Sequence, residues 1–190
     1  MAETTTEQSY WKQAEKDVQD YFRLNNCEAI ILTDKDSQYS DLDLAVTFPD
    51  AQQHTVSVKY MQAVAKYCNL SFEIYLHSNN GARMEGWFTK GKSTITAIII
   101  PDVEIVIIKG KRKAQKLSNN KRILLFSTAR LKEIITLETE SNPKGLAFKV
   151  TRLTDFQKQF NAGRKFNDAE NLIVRLEDLL PYTLKQYIIK

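Results

Sequence analysis

The stretch Ser40–Met61, SDLDLAVTFPDAQQHTVSVKYM, decides how the chain is read. Leu42, Leu44, Val46 and Phe48 alternate with Asp41, Asp43, Ala45 and Thr47, the period-2 pattern of a strand with one buried face. Pro49, Asp50 and the following Ala51-Gln52-Gln53 make a turn, and Thr55–Met61 returns from it as a second strand. Residues two apart on a strand share a face, so Asp41 pairs with Asp43 on the first strand and Ser57 with Lys59 on the second.

Outward from this hairpin the pattern stays that of an α/β domain. Residues 1–8 are polar, without apolar spacing, and read as a disordered terminus. From Ser9, a plausible N-cap, Tyr10, Trp11, Ala14, Val18, Tyr21, Phe22 and Leu24 recur at helical spacing and predict a helix over Tyr10–Leu24. Cys27–Thr33 reads as a short strand, Asp34–Ser40 as a loop, and Leu70–His77 as a further strand. Two Ile-rich runs near 96–100 and 103–109 add two more, Lys111–Asn119 reads as a basic helix or a loop, and Ser127–Thr136 as a helix. Ala147–Val150 is a short strand, and the tail from Asp155 reads as helical pieces. Residues 9–136 are thus expected to form the core and 137–190 a C-terminal extension packed on it.

Composition narrows the function classes. With 43% hydrophobic and 26% charged residues, Gly 6 and Pro 4, the chain is neither disordered nor collagen-like. Cys27 and Cys68 belong to no Cys-x-x-Cys pair and no apolar run begins near Met1, which reads as a reducing, cytoplasmic protein without a signal peptide. The longest apolar runs are too short to span a membrane, so no membrane partner is expected. The net charge of +4 hides an asymmetry: residues 1–50 hold 4 Lys+Arg against 11 Asp+Glu, and residues 81–132 hold 12 against 3. Lys109, Lys111, Arg112, Lys113, Lys116, Lys121 and Arg122, with Lys90 and Lys92 before them, suit a polyanion such as nucleic acid; the bland alternative is a solvated charged face.

Two constellations could carry chemistry. Gly86-Trp-Phe-Thr-Lys-Gly91-Lys92-Ser93 satisfies the P-loop pattern, which would make the chain a nucleotide-binding protein, but the β-branched run Thr94–Ile100 stands where the following helix is required. The second is acidic: Asp43, Lys59 and Glu73 are expected to converge on one end of a sheet, with Asp41 and Ser57 beside them. Asp43 and Glu73, with Asp41, could hold a hard divalent cation through oxygen ligands, and Lys59 could orient or activate a water and stabilise developing phosphate charge. Ordinary structural roles for the same residues are a turn cap, a solvated lysine and a cross-strand ion pair.

The order helix, strand, strand with Asp43, strand with Ser57-Val58-Lys59, strand with Asn69-Leu70-Ser71-Phe72-Glu73, then Gly86-Trp87-Phe88 resembles the PD-(D/E)xK nuclease superfamily, most of all its small phage-type members. The likeness covers about Tyr10 to Ile135. It implies a restriction endonuclease-like mixed-sheet core entered by an N-terminal helix, with additional C-terminal helical segments. It also implies an endonuclease that cleaves nucleic acid, DNA above all, with Mg²⁺ or Mn²⁺. The family's catalytic aspartate falls on Asp43, its lysine on Lys59, and the acidic residue two places before that lysine on Ser57, a departure. A hydroxyl is a poor substitute for a carboxylate ligand, so Glu73, Asp41 or Glu15 would have to supply the missing acid. Otherwise the chain is a nuclease-like protein kept for binding nucleic acid or a host protein. Members of this superfamily often dimerise to cut two strands, so a homodimer is compatible with the resemblance, although the sequence carries no interface signal.

Overall fold

The computed structural model describes residues 3–78, 80–152 and 166–189. The first helix, α1 (Glu3–Leu24), starts earlier than its apolar spacing, so residues expected to fray continue the helix instead. It buries Ala14, Val18, Tyr21 and Phe22, and Asn26, two residues beyond its end, takes a positive φ of 61° that turns the chain away. β1 (Glu28–Ile31), β2 (Leu44–Thr47) and β3 (Gln53–Tyr60) follow as an antiparallel meander, Ala29 opposite Val46 and Leu44 opposite Val56. Between β1 and β2 the expected loop contains a short helix, α2 (Lys35–Tyr39), because the Asp34 side chain accepts the Ser37 N–H at 2.8 Å and caps it.

The chain then leaves this sheet. After α3 (Val64–Tyr67) it runs through β4 (Asn69–Ser78), β5 (Arg83–Glu85) and α4 (Trp87–Lys90) before β6 (Ile95–Ile108) returns parallel to β3, with Ser57 opposite Thr96 and Lys59 opposite Ile98. Parallel neighbours need a crossover, and here a second sheet serves as one. The two Ile-rich runs are one strand, irregular at Pro101–Val103.

Lys111–Asn119 is neither helix nor loop. It begins β7 (Lys111–Ser127), joined to β6 by a two-residue turn in which Lys109 and Gly110 have φ of 51° and 71°. Two consecutive positive φ values match the twist of a tight hairpin, and register with β6 overrides the polar composition. α5 (Thr128–Ile134) follows, capped by Ser127.

The C-terminal part is built into the fold rather than added to it. β8 (Ala147–Thr151) and β9 (Phe166–Arg175) complete the second sheet in the order β5-β4-β9-β8, Phe72 opposite Leu172. After α6 (Leu176–Leu179) and a 3-10 turn, β10 (Lys185–Ile189) pairs with β7 and closes the first sheet as β1-β2-β3-β6-β7-β10. Among the described residues the expected helical tail is therefore mostly strand: on β9, Leu172 and Val174 are buried in alternation with the less buried Asn171, Ile173 and Arg175, the spacing of a strand face. Phe156 and Phe160, also assigned to helical pieces, lie outside the described residues.

α1 covers one face of the first sheet through Leu44, Val46, Val56, Val58, Ala97, Ile99 and Ile123. The opposite face packs Ile98, Ile100, Leu124 and Phe126 against Leu70, Phe72, Leu172 and Val174 of the second sheet. Ser57 and Lys59 alternate with the α1-facing valines and so point toward the second sheet. Both cysteines are free and buried, and among the described residues no helix is long and apolar enough to cross a membrane.

Candidate functional site

Asp41 lies at the centre of the acidic cluster. It follows α2 with a φ of 59°, a left-handed conformation in which an aspartate is tolerated, and this kink takes its side chain off the β2 alternation. One carboxylate oxygen accepts the Ser57 hydroxyl at 2.6 Å and the other accepts Lys59 Nζ at 2.5 Å. Ser57 is buried, and the Asp41 and Lys59 side chains are each only 12% exposed.

Asp43 sits one turn of the pleat further on. Its N–H donates to the Val56 carbonyl, and its carboxylate accepts the Val58 N–H at 2.6 Å. Burial raises its pKa above the usual carboxylate range, with Lys59 and the Val58 N–H pulling it down and Asp41 pushing it up.

Glu73 reaches the same place from the other sheet, not from a neighbouring strand as the sequence led us to expect. β4 and β9 shift register between Glu73 and Tyr75, and the Ile74 carbonyl accepts the Gly86 N–H at 2.8 Å and the Thr89 hydroxyl at 2.8 Å. Such an irregularity bends a strand and re-aims its side chains. Gly86 is required by this close approach, because a Cβ there would stand 2.5 Å from the Glu73 carbonyl oxygen. It brings the Trp87 N–H to the Glu73 carboxylate at 3.2 Å, and the Trp87 ring to 5.1 Å from Lys59 Nζ. Burial raises the Glu73 pKa; the Trp87 N–H, Lys59 and Lys90 oppose the shift.

Glu15 on α1 also senses the cluster: burial and then Asp43 raise its pKa, while Lys59 and Lys12 lower it. Lys59 thus pairs with Asp41 and acts electrostatically on Glu15, Asp43 and Glu73. That excess of negative charge in a half-buried place favours a cation. The acids do not converge, however: among the described residues no three metal-ligating side chains form a group that could hold an ion. Asp43 and Glu73 each feel Asp41, which makes Asp41 the acid common to both sides. Mg²⁺ takes one or two carboxylates and fills its remaining positions with water, so by donor chemistry alone a pair of these acids is of the kind it accepts.

The P-loop look-alike folds differently. After Gly91-Lys92-Ser93 comes β6 rather than a helix, and the buried Ser93 hydroxyl meets Thr128 Oγ1 at 3.1 Å. Its first glycine serves the approach to Glu73, and Gly91 lies against Asp41, where a Cβ would stand 3.4 Å from the carboxylate.

The basic residues separate into two groups. Arg112 makes a bidentate pair with Glu177 at 2.5 Å and also donates to Asn69 and the Cys68 carbonyl; Arg122 pairs with Asp102 at 2.7 Å and Lys121 with Asp17 at 2.9 Å. These three hold the fold together, and the Arg122 guanidinium and Ser118 hydroxyl keep the Asp102 carboxyl below its usual range. Lys109, Lys111, Lys113 and Lys116 are exposed along the β6–β7 hairpin, Lys116 donating to Asn119, while Lys92 is exposed and Lys90 half-buried near the acidic cluster, over the Tyr39 ring.

Sequence reasoning missed Trp87 as a participant and Lys132, whose Nζ donates to the Thr89 and Gly91 carbonyls and ties down the segment after α4. The Gly86-Trp87 pair was a usable signal for the first; Lys132 carried none. No family model, no curated protein and no solved structure matches the chain.

Proposed function

We propose that the Asp41, Asp43, Lys59 and Glu73 cluster hydrolyses phosphodiester bonds of nucleic acid, DNA in the first instance, as a divergent PD-(D/E)xK-type nuclease with a restriction endonuclease-like core. The observation that carries this reading is the double engagement of Asp41: its carboxylate sits on the Ser57 hydroxyl and on Lys59 Nζ together. The acid absent at position 57 is thereby supplied from the loop before β2, delivered to the same point by a serine that donates to it.

Asp41 with Asp43 or Glu73 would hold Mg²⁺ or Mn²⁺, which when bound supplies Lewis-acid polarisation of the phosphate and a more acidic water. Lys59, paired to Asp41, has donors and no lone pair in its ammonium form. Its use here is to orient the phosphate and stabilise charge developing on the non-bridging oxygens, the charge-stabilising part of the role expected from sequence. Of Asp43 and Glu73, the one not holding the metal, its affinity for a proton raised by burial, can accept the proton that the attacking water loses as its oxygen bonds to phosphorus; the ester P–O bond breaks and the departing oxygen takes a proton from solvent. Lys109, Lys111, Lys113 and Lys116 would add salt-sensitive backbone affinity.

The test is cleavage of supercoiled plasmid, single-stranded DNA and RNA in Mg²⁺, Mn²⁺ or EDTA by the wild type, Asp41→Asn and Lys59→Ala, with folding checked by circular dichroism. Products that need the metal and vanish in folded Asp41→Asn are expected. A wild type that is inert with every metal and substrate, yet binds nucleic acid in a salt-dependent way, would make this a nuclease-like fold used for binding.

A further inference from the structure

We infer that the cavity beside Lys59 receives a single nucleobase, so that the strand handled at this centre is single-stranded or locally unpaired. The inference rests on the hydrolytic reading for where the phosphate lies, and on the cavity itself for the base. Its volume is about 270 Å³, with walls that include Trp11, Tyr60, Met61, Ser71 and Trp87 and with Lys59 at the side it shares with the acidic cluster. Sites for drug-sized ligands begin at about 300 Å³, so the space suits one planar ring system.

Two of the walls are indoles from separate elements, Trp11 on α1 and Trp87 at the start of α4. Trp11 is 42% exposed and its neighbour Tyr10 55% exposed, although α1 needs only its Ala14, Val18, Tyr21 and Phe22 face to pack on the sheet. Tyr10 lies over Tyr60 with centroids 6.5 Å apart and planes 23° apart, extending the aromatic surface to the rim. Aromatic faces bind bases of any sequence by stacking, and a cation close by favours the attached phosphate. Lys59 provides that cation, its Nζ lying 5.1 Å from the Trp87 centroid. Among the described residues no carboxylate lines the cavity, so a base can enter it without facing the acids beyond Lys59. A base inside a duplex is stacked on both faces and cannot enter such a cavity unless it leaves the helix, whereas a base in a single strand can.

The experiment measures anisotropy of a short fluorescein-labelled oligodeoxythymidylate in EDTA, where nothing is cut, against its abasic counterpart and a duplex of the same length. We expect the single strand to bind about tenfold or more tighter than the abasic strand, with tryptophan emission quenched only by the former. Trp11→Ala should remove most of that difference and leave abasic binding unchanged, and Trp11→Phe should restore it. Equal affinity for the base-bearing and abasic strands, or for single strand and duplex, overturns the inference, as does Trp11→Ala with unaltered base dependence. A base-dependent strand that is bound but never cut in Mg²⁺ sinks the hydrolytic reading and leaves the cavity's role standing. Cutting without base dependence does the reverse.

Discussion

Replacing Lys59 with methionine removes the cation that pairs with Asp41 and acts on Glu15, Asp43 and Glu73 alike, while keeping most of the side chain's length. Asp41 then loses its 2.5 Å ion pair at a place where both side chains are 12% exposed, so a carboxylate is left largely desolvated and uncompensated. Removing one partner of a buried pair costs about 3–5 kcal/mol, a large share of a total stability of about 5–15 kcal/mol. The effect carries a sign in pH. Burial holds the pKa values of Glu15, Asp43 and Glu73 above their ordinary range, and Lys59 opposes the shift in each. A carboxyl whose folded pKa is raised lends stability that is complete below its unfolded pKa and is lost as pH rises through the folded value. Without Lys59 the folded values rise further, so the variant's deficit is greatest near neutral pH and shrinks as acid neutralises the carboxyls. Asp41→Asn is the milder change, because Lys59 keeps Asp43, Glu73 and Glu15 as neighbours. Urea unfolding of wild type, Lys59→Met and Asp41→Asn at about pH 7 and about pH 4 reads these differences. A Lys59→Met deficit that does not change with pH, or Asp41→Asn proving the more costly of the two, would refute the electrostatic account of the cluster.

Three further outcomes follow from the structure. Gly86→Ala places a Cβ 2.5 Å from the Glu73 carbonyl oxygen where ordinary contact begins at 3.4 Å, so α4 must retreat by roughly 0.9 Å; we expect a loss of about 1–3 kcal/mol in thermal unfolding, together with reduced cleavage as the 3.2 Å Trp87 to Glu73 bond lengthens. Arg112→Ala should destabilise the fold by breaking the bidentate pair to Glu177. The double change Lys111→Ala and Lys113→Ala should instead leave the melting temperature unchanged and lower the salt slope of nucleic acid binding by about one per lysine. Equal melting losses in the two variants would mean that the hairpin's cations are not divided as described.

Much of the fold could be read locally. Leu44, Val46, Val56 and Val58 alternate because one face of each strand is buried under α1, and Ala14, Val18, Tyr21 and Phe22 recur at helical spacing for the complementary reason. These patterns are properties of a few consecutive residues, and so are the Ser127 cap and the turn after Phe48. They were enough to place Asp41, Asp43, Ser57 and Lys59 near one another, since two of them lie on β3 and the other two just before β2, its hairpin partner.

What only the tertiary structure decided depends on partners distant in sequence. Lys111–Asn119 is a strand because β6 pairs with it, and Phe166–Arg175 because β4 does, neither of which polar composition reveals. Glu73 joins Asp41 and Lys59 from a different sheet, through a register shift and the close approach of Gly86. Arg112, Lys121 and Arg122 leave the list of free cations because Glu177, Asp17 and Asp102 come to meet them. Alternation and periodicity record which face of an element is buried, and that much the residues of this chain determine by themselves. Which element covers that face, and which charge neutralises which, is set by pairings across the whole chain, and no local pattern encodes them.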